Sequence, residues 1–517
     1  MTEVATPDLI ADVIIVGGGH NGLVAAAYLA RAGRRVHVIE ARSETGGAVA
    51  GVRPFAGVDV RLSRFSYLVS LLPDSIIAEL DLHLSLRSRH VASYSPYGDH
   101  GLLVERPEGP ATRESFARLT GGSQAYDAWT RLHADLATVA AAVAPTLTGP
   151  LPHARDLAAQ VAPEIWRAVT ERPISELVGD RLGDDLLRGV VLTDALIGTF
   201  ASAADPSLVQ NRCFLYHVIG NGTGEWQVPI GGMGAVAAEL HRVAAAAGAV
   251  ITTDAPVVRL EPDADGATVR LADGRSLRAP TVLAGCAPAV LDGLLGRSGP
   301  DVEGCQLKIN LVLTRLPRLR SGIDPETAFA GTTHLNQSAT QLQQAYESAA
   351  AGTIPDPLPA EVYCHTLTDP SILGPDLAEQ GVHTLTLFGL HTPARLFRAD
   401  PEGAKAVATR AALASLQFVL AEPLVDCLAR DAHGWVCLEV MTPLDLEREL
   451  HLPGGHIFHG DLAWPWLADD ATATTAAERW GVATDVPNVV LCGSGARRGG
   501  AVSGLGGQNA ARAVLEG

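Results

Sequence analysis

Lysine is nearly missing from this chain. Of its 39 basic residues only Lys308 and Lys405 are lysines. With a high alanine and arginine content, this is the composition of a GC-rich bacterial genome. Positive charge is short overall, and the formal net charge of -18 argues against nucleic acid and against an anionic membrane held by charge. No apolar run reaches the length of a membrane span, which leaves only peripheral membrane contact open. The stretch Met1–Ala11 lacks a basic segment followed by an apolar core, so no secretory signal is expected. The seven cysteines (Cys213, Cys286, Cys305, Cys364, Cys427, Cys437 and Cys492) are odd in number and form no CxxC. Buried thiols in a reducing cytoplasm are the expected state, and a redox disulfide is excluded. Histidines and cysteines show no metal-ligand spacing, so no metal is expected. Ser494 and Ser503 have no GxSxG context and are not nucleophiles. No internal repeat or Pro-rich linker interrupts the 517 residues, a length that suggests two or three domains, or two interleaved ones.

What is present begins with Gly17-x-Gly19-x-x-Gly22. The run Asp12 to Val16 before it is short and rich in β-branched residues, as a buried parallel strand is. Gly17 permits a tight turn, Gly19 lets the backbone approach a pyrophosphate, and Gly22 lets the next helix pack close. That helix is expected from about Asn21 to Ala32, with its first amides facing the phosphates. Gly33 stops it, Arg35 to Ile39 returns as a strand, and Glu40 stands where an acid accepts hydrogen bonds from an adenosine ribose. Ala41, Arg42, Gly46, Gly47 and Ala48 continue the unit. With strand, helix, strand and acid in register, the pattern predicts dinucleotide binding.

Further along, residues 68–86 have helical spacing and residues 112–200 read as mostly helical. Residues 205–225 read as a loop around one short helix. A second glycine block, Gly231-Gly232-Met233-Gly234, opens a helix over 235–247. Short strands follow at 257–260, 267–271 and 281–284, then at 308–313 and 383–390, and an amphipathic helix over 402–421. The chain ends on a buried strand, Asn488 to Cys492, a glycine-rich loop over 493–507 and a helix over 509–515. This last block is a second strand, glycine loop and helix N-terminus, and so a second anion site.

Three blocks together resemble the phytoene desaturase-like flavoproteins, in the branch of pyridine nucleotide-disulphide oxidoreductase domain-containing protein 2. They are Gly17 to Gly22 with Glu40 and Gly46-Gly47; Gly231 to Gly234; and Cys492 to Gly495 through Gly500-Ala501-Val502-Ser503-Gly504 to Ala511. Arg64 to Leu72, Lys308-Ile309-Asn310 and Gly455 to Asp461 add to the likeness. The resemblance implies an α/β fold: a glutathione reductase-type Rossmann FAD-binding domain interleaved with an α+β substrate domain. The expected division is 10–75, 228–300 and 485–517 for FAD, and 76–227 and 301–484 for substrate. It implies FAD as the cofactor, held also by His20 and Asn21, with Gly493, Ser494 and Val502 to Gly504 along the ribityl chain and ring. Many relatives have an acid where Ser494 stands. Val258 is expected to meet adenine through its backbone.

Flavin carries the redox step, so few catalytic side chains are needed. Lys308-Ile309 resembles the Lys-Ile pair that places an ammonium near flavin N5 in flavin amine oxidases; the other reading is a strand-edge lysine facing solvent. His459 is either an acid–base group near the substrate or a hydrogen-bonded structural histidine. His365 and His391 are weaker candidates. Trp464 and Trp466 either line an apolar pocket or belong to the core. Cys492 before the glycine loop invites a covalent flavin, but it ends a buried strand, so a non-covalent flavin is expected. A second GxGxxG after a strand is missing, which points away from NAD(P)H and toward O2, a quinone or another carrier. The implied function is oxidation or desaturation of a hydrophobic small molecule, forming C=C or C=N. Two other readings stay open: an isomerase or cyclase acting on a polyene, and a GDP-dissociation-inhibitor-like binding protein.

Overall fold

A computed structural model describes residues 11–517. The start of the first expected segment, residue 10, and nearly all of the Met1–Ala11 stretch lie outside the described residues. Val13–Val16 is buried at every position because it is flanked on both sides: it pairs in parallel with Val36–Ile39 and with Thr281–Ala284. Val250–Thr252 and Val489–Leu491 complete a five-stranded sheet in the order 489–491, 281–284, 13–16, 36–39, 250–252. The sheet is parallel throughout, so its strands are joined by crossovers. Three distant stretches of chain therefore build one layer. Two helices, His20–Arg31 and Leu505–Glu516, pack against each other beside it. Their contact needs glycine: a Cβ on Gly507 would lie 2.0 Å from the Asn21 carbonyl oxygen.

A seven-stranded sheet forms the second layer, in the order Leu438–Met441, Leu307–Leu313, His383–Gly389, Ala360–Tyr363, Thr332–Leu335, Val91–Tyr97, His100–Glu105. One face packs on an apolar core that includes Ile309, Leu311, Leu385, Leu387 and Val362. Opposite the other face stand helices Gln124–Val143, Asp185–Leu196 and Val209–Ile219. Among the described residues no helix is long and apolar enough to cross a membrane.

Several boundaries differ from those expected. Of 68–86 only Asp74–Glu79 is helical. Val69 pairs in both directions with Gln227 (3.0 and 2.8 Å), so this part is extended, and Pro73 then sets the helix start. Residues 205–225 hold a helix of 11 residues, Val209–Ile219, and the last helix begins at Leu505 rather than Asn509. The strands Val91–Tyr97, Thr332–Leu335 and Ala360–Tyr363 carry no clear sequence pattern. Ser93, Thr332, His334 and Glu361 interrupt them, and all four face a cavity rather than the core.

Candidate functional site

The cavity has a volume of about 1080 Å³ and runs from the first glycine turn to the seven-stranded sheet. Its nucleotide end is built from loops. Gly22 follows the turn so closely that a Cβ there would lie 2.2 Å from the Gly17 carbonyl oxygen, whereas a Cβ on Gly19 meets nothing within 4 Å. Gly19 therefore faces open space on the cavity wall. The helix that starts there has no side-chain cap and no acid in its first turn, so its first amides are free for an anion. The Gly18 N–H donates to Glu40 Oε2 (2.7 Å) and the Arg42 N–H to Glu40 Oε1 (2.9 Å). These bonds fix the carboxylate at the cavity edge and leave it lone pairs to accept from a ribose.

The terminal loop meets the first one directly. The His20 Nε2 lies 3.2 Å from the Ala501 carbonyl oxygen, and Asn21 Nδ2 donates to Ser494 Oγ (3.4 Å) and to the Gly499 carbonyl (3.5 Å). Burial holds the His20 imidazole down to about 4, so it is neutral. Asn21 Oδ1 is buried without a partner. Gly17, Gly19, His20, Asn21, Gly22, Glu40, Ala41, Arg42, Gly47, Ala48, Gly493, Ser494, Ala501 and Val502 all line the cavity. A long slot with uncapped amides at one end, an acid at its edge and glycine walls fits FAD.

Other expected contacts stand one step back. The Gly46 N–H donates to the Gly18 carbonyl (2.8 Å) and braces the turn. Gly500 packs on Leu462, Ser503 Oγ accepts from the Leu505 N–H (3.2 Å), and Gly504 is the helix N-cap. Val258 is 54% exposed; the ladder slips between Val257 and Arg259, and Pro256 and Val257 line the cavity in its place. Cys492 is fully buried and its thiol is pushed up by burial, which suits an inert core cysteine.

At the other end, strand register sets the chemistry. Lys308 pairs with Phe388, Phe388 with Glu361, and Glu361 with His334. Cross-strand partners share a face, so these four residues form one row, and all four line the cavity. Lys308 lies on an interior strand, is 3% exposed and is no solvent-facing edge lysine. Its Nζ donates to the carbonyls of Ser63 (2.6 Å) and Ser66 (2.9 Å) and lies 5.1 Å from the Phe388 ring centre. Burial pulls it down to about 7, against the attraction of Glu439.

Glu361 is hydrogen-bonded to the Tyr363 hydroxyl. Burial pushes its carboxyl up to about 8. Burial also raises Asp194, against the pull of His217 and His133. Sequence reasoning missed Glu361, Tyr363, His334 and Asp194; an acid inside the apolar run Ala360-Glu361-Val362 was the available signal.

His459 lines the cavity beside the nucleotide loops. Its Cβ lies 3.5 Å from the position of a Gly495 Cβ, and His20 and Cys286 are neighbours. Burial, then His20 and His456, hold it down to about 3, and Nδ1 has no partner. His365 is paired with Asp369 (3.2 Å) and His391 is wholly buried. Trp464 and Trp466 stack on each other with ring centres 4.9 Å apart, and Trp466 lies 5.1 Å from Trp166; neither tryptophan lines the cavity.

Comparison with known proteins gives a consistent picture. Residues 15–74 match the NAD(P)-binding Rossmann-like domain family, and residues 72–301 match the family described as flavin containing amine oxidoreductase. Protein Rv0897c of Mycobacterium tuberculosis (strain ATCC 25618 / H37Rv) is 50% identical over 525 residues, covering 98% of this chain and 97% of the relative. Pyridine nucleotide-disulfide oxidoreductase domain-containing protein 2 of Mus musculus is 31% identical over 565 residues, covering 98% of this chain and 93% of its own. Among solved structures, wild-type putrescine oxidase bound to putrescine superposes with a TM-score of 0.58 at 19% identity, covering 99% of this chain and all (100%) of that one.

Proposed function

This chain belongs to the phytoene desaturase-like and amine oxidase-like FAD-dependent oxidoreductases, in the branch of pyridine nucleotide-disulfide oxidoreductase domain-containing protein 2, and on that footing we propose that it dehydrogenates a small molecule with an apolar body. The substrate loses a hydride and a proton, leaving C=C or C=N. FAD, when bound, supplies the acceptor for the hydride. The observation that carries this reading is the continuity of one cavity from Gly19 and Glu40 to the row Lys308–Phe388–Glu361–His334.

The chain's own residues divide the work. The amides after Gly19 and the Glu40 carboxylate hold the nucleotide half. Residues 10–75, 228–300 and 485–517 make the FAD domain, and 76–227 with 301–484 the substrate domain. Lys308, pinned by the Ser63 and Ser66 carbonyls, would offer its ammonium to the flavin from the cavity wall. Glu361, backed by Tyr363, receives the substrate proton: a carboxyl held near neutrality is a stronger base than an exposed one. Trp129, Leu136, Phe214 and Trp226, which line the same cavity, exclude water and hold the apolar part. His459, neutral and beside His20, is assigned to the cofactor rather than to proton transfer. O2, a quinone or another carrier in the cytoplasm would be the final electron acceptor.

Anaerobic titration of the FAD-loaded protein with a panel of amines, unsaturated lipids and polyenes tests this reading. Bleaching of the flavin by one class, with one product double bond per flavin, is the expected result. Retained flavin that no class bleaches, with isomerised product instead, overturns it in favour of the isomerase.

A further inference from the structure

We propose that the substrate chamber contains an anion site, the guanidinium of Arg89, which takes a carboxylate on the substrate. The proposal rests on the reading of this chamber as the substrate site. Arg89 lines the cavity and is 8% exposed. It lies over the Tyr363 ring, with the guanidinium carbon 5.6 Å from the ring centre. Nη1 is buried without a hydrogen-bond partner. Among the described residues no carboxylate lies within 4 Å of it, although the chamber has several.

Each of those carboxylates is engaged elsewhere. Glu105 accepts from the Thr112 N–H (2.9 Å). Glu108 accepts from Tyr126 Oη (2.8 Å) and Trp129 Nε1 (3.1 Å). Glu361 accepts from Tyr363, and Asp194 stands by His133 and His217. A second cation, Arg106, lines the same region. Burial and the like charge of Arg89 hold it down, while Glu225 is its counter-charge. Arg89 is thus a buried cation without an ion-pair or hydrogen-bond partner at Nη1; Glu361 feels its charge but is held up by burial and bonded to Tyr363 instead.

Such a charge is unfavourable unless an anion arrives. A guanidinium offers a planar fork that matches one carboxylate bidentately. One free fork, amid protein acids, suits a monoanion better than a phosphate. Together with the apolar helical wall, this describes an amphipathic carboxylate: an apolar chain whose acid group lies on Arg89 and whose oxidised carbon lies toward Lys308.

The test is equilibrium binding to the FAD-loaded protein, read by flavin absorbance and tryptophan emission, since Trp129 and Trp226 line the chamber. The probes are octanoate, octyl phosphate, octylamine and octanol. Octanoate is expected to bind at least about tenfold more tightly than octylamine or octanol. Arg89→Gln should weaken octanoate by at least about tenfold while octanol binding and FAD content stay unchanged. Arg89→Lys, which keeps the charge and loses the fork, should fall between the two and serves alone if Arg89→Gln does not fold. Octanoate that fails to saturate, or binds either variant as it binds the wild type, overturns the proposal. So does octyl phosphate binding about tenfold more tightly than octanoate. A carboxylate that binds through Arg89 yet never bleaches the flavin counts against the oxidoreductase reading and leaves the anion site standing.

Discussion

Gly19 separates cofactor binding from folding. A Cβ there meets nothing within 4 Å, and its φ of -67° suits any residue. Gly19→Val should therefore fold normally while placing its side chain where a pyrophosphate approaches. The expected outcome is an unchanged thermal midpoint of the apoprotein and complete loss of bound FAD; flavin content equal to wild type would refute it. Lys308→Met removes a buried ammonium at similar length. It should slow flavin reduction or reoxidation in stopped flow by at least about tenfold, or roughly 1.4 kcal/mol in the barrier, with FAD retained; wild-type rates in both half-reactions would make Lys308 structural. Glu361 acts as base only when deprotonated. Held up to about 8, it is ionised in a fraction that grows roughly tenfold from pH 7 to pH 9. Lys308, held down to about 7, loses its proton over the same range, so in the wild type the falling ammonium fraction opposes the gain in base. In Lys308→Met, where no ammonium titrates, flavin reduction should rise with pH across that window, and adding Glu361→Gln should abolish the rise; a rise that survives in the double variant removes the acid from the mechanism. At this scale the cofactor half was legible, because Gly17, Gly19, Gly22 and Glu40 act through short-range spacing on one β-α-β unit. Glu361, Tyr363 and Arg89 were not, because only the register of three distant strands and the turn before one of them brings them to one wall.

Two helices and one sheet face set what an element can do here. The helices His20–Arg31 and Leu505–Glu516 approach closely because Gly507 lacks a side chain. Gly507→Ala puts a methyl 2.0 Å from the Asn21 carbonyl oxygen, and backbone must shift to admit it. A destabilisation of about 1–3 kcal/mol is expected, with weaker FAD retention, because Asn21 and His20 move with the helix. Thermal unfolding of apo and FAD-loaded protein checks this; equal midpoints to wild type in both forms would show the contact to be slack. The parallel strands were readable as unbroken apolar runs, since both their faces are buried. The strands of the larger sheet were not. A strand that turns one face to a cavity with acids and hydroxyls loses the clean alternation that marks a half-buried strand. The stretch 68–86 misled for a different reason: its leucines have helical spacing, but pairing with Gln227 and the proline at position 73 decide its form.

For the whole molecule, the cavity joins the FAD end to a wall that carries the proposed base Glu361, a lysine and an unpaired arginine, with no second dinucleotide fingerprint in the sequence. NADH and NADPH should thus reduce the flavin far more slowly than the substrate does; stopped-flow reduction by either at the rate of turnover would return a nicotinamide-dependent reductase to first place. All seven cysteines are free and six of them are buried, so reducing agents should leave activity unchanged. The central claim is that this chain binds FAD, through its adenosine half, for use in oxidation. The most direct measurement is the visible spectrum of the purified protein after reconstitution with excess FAD and, separately, excess FMN, with the retained flavin released and identified. The account predicts one FAD per chain and no retained FMN. A colourless protein after both treatments, or FMN held as well as FAD, would contradict it.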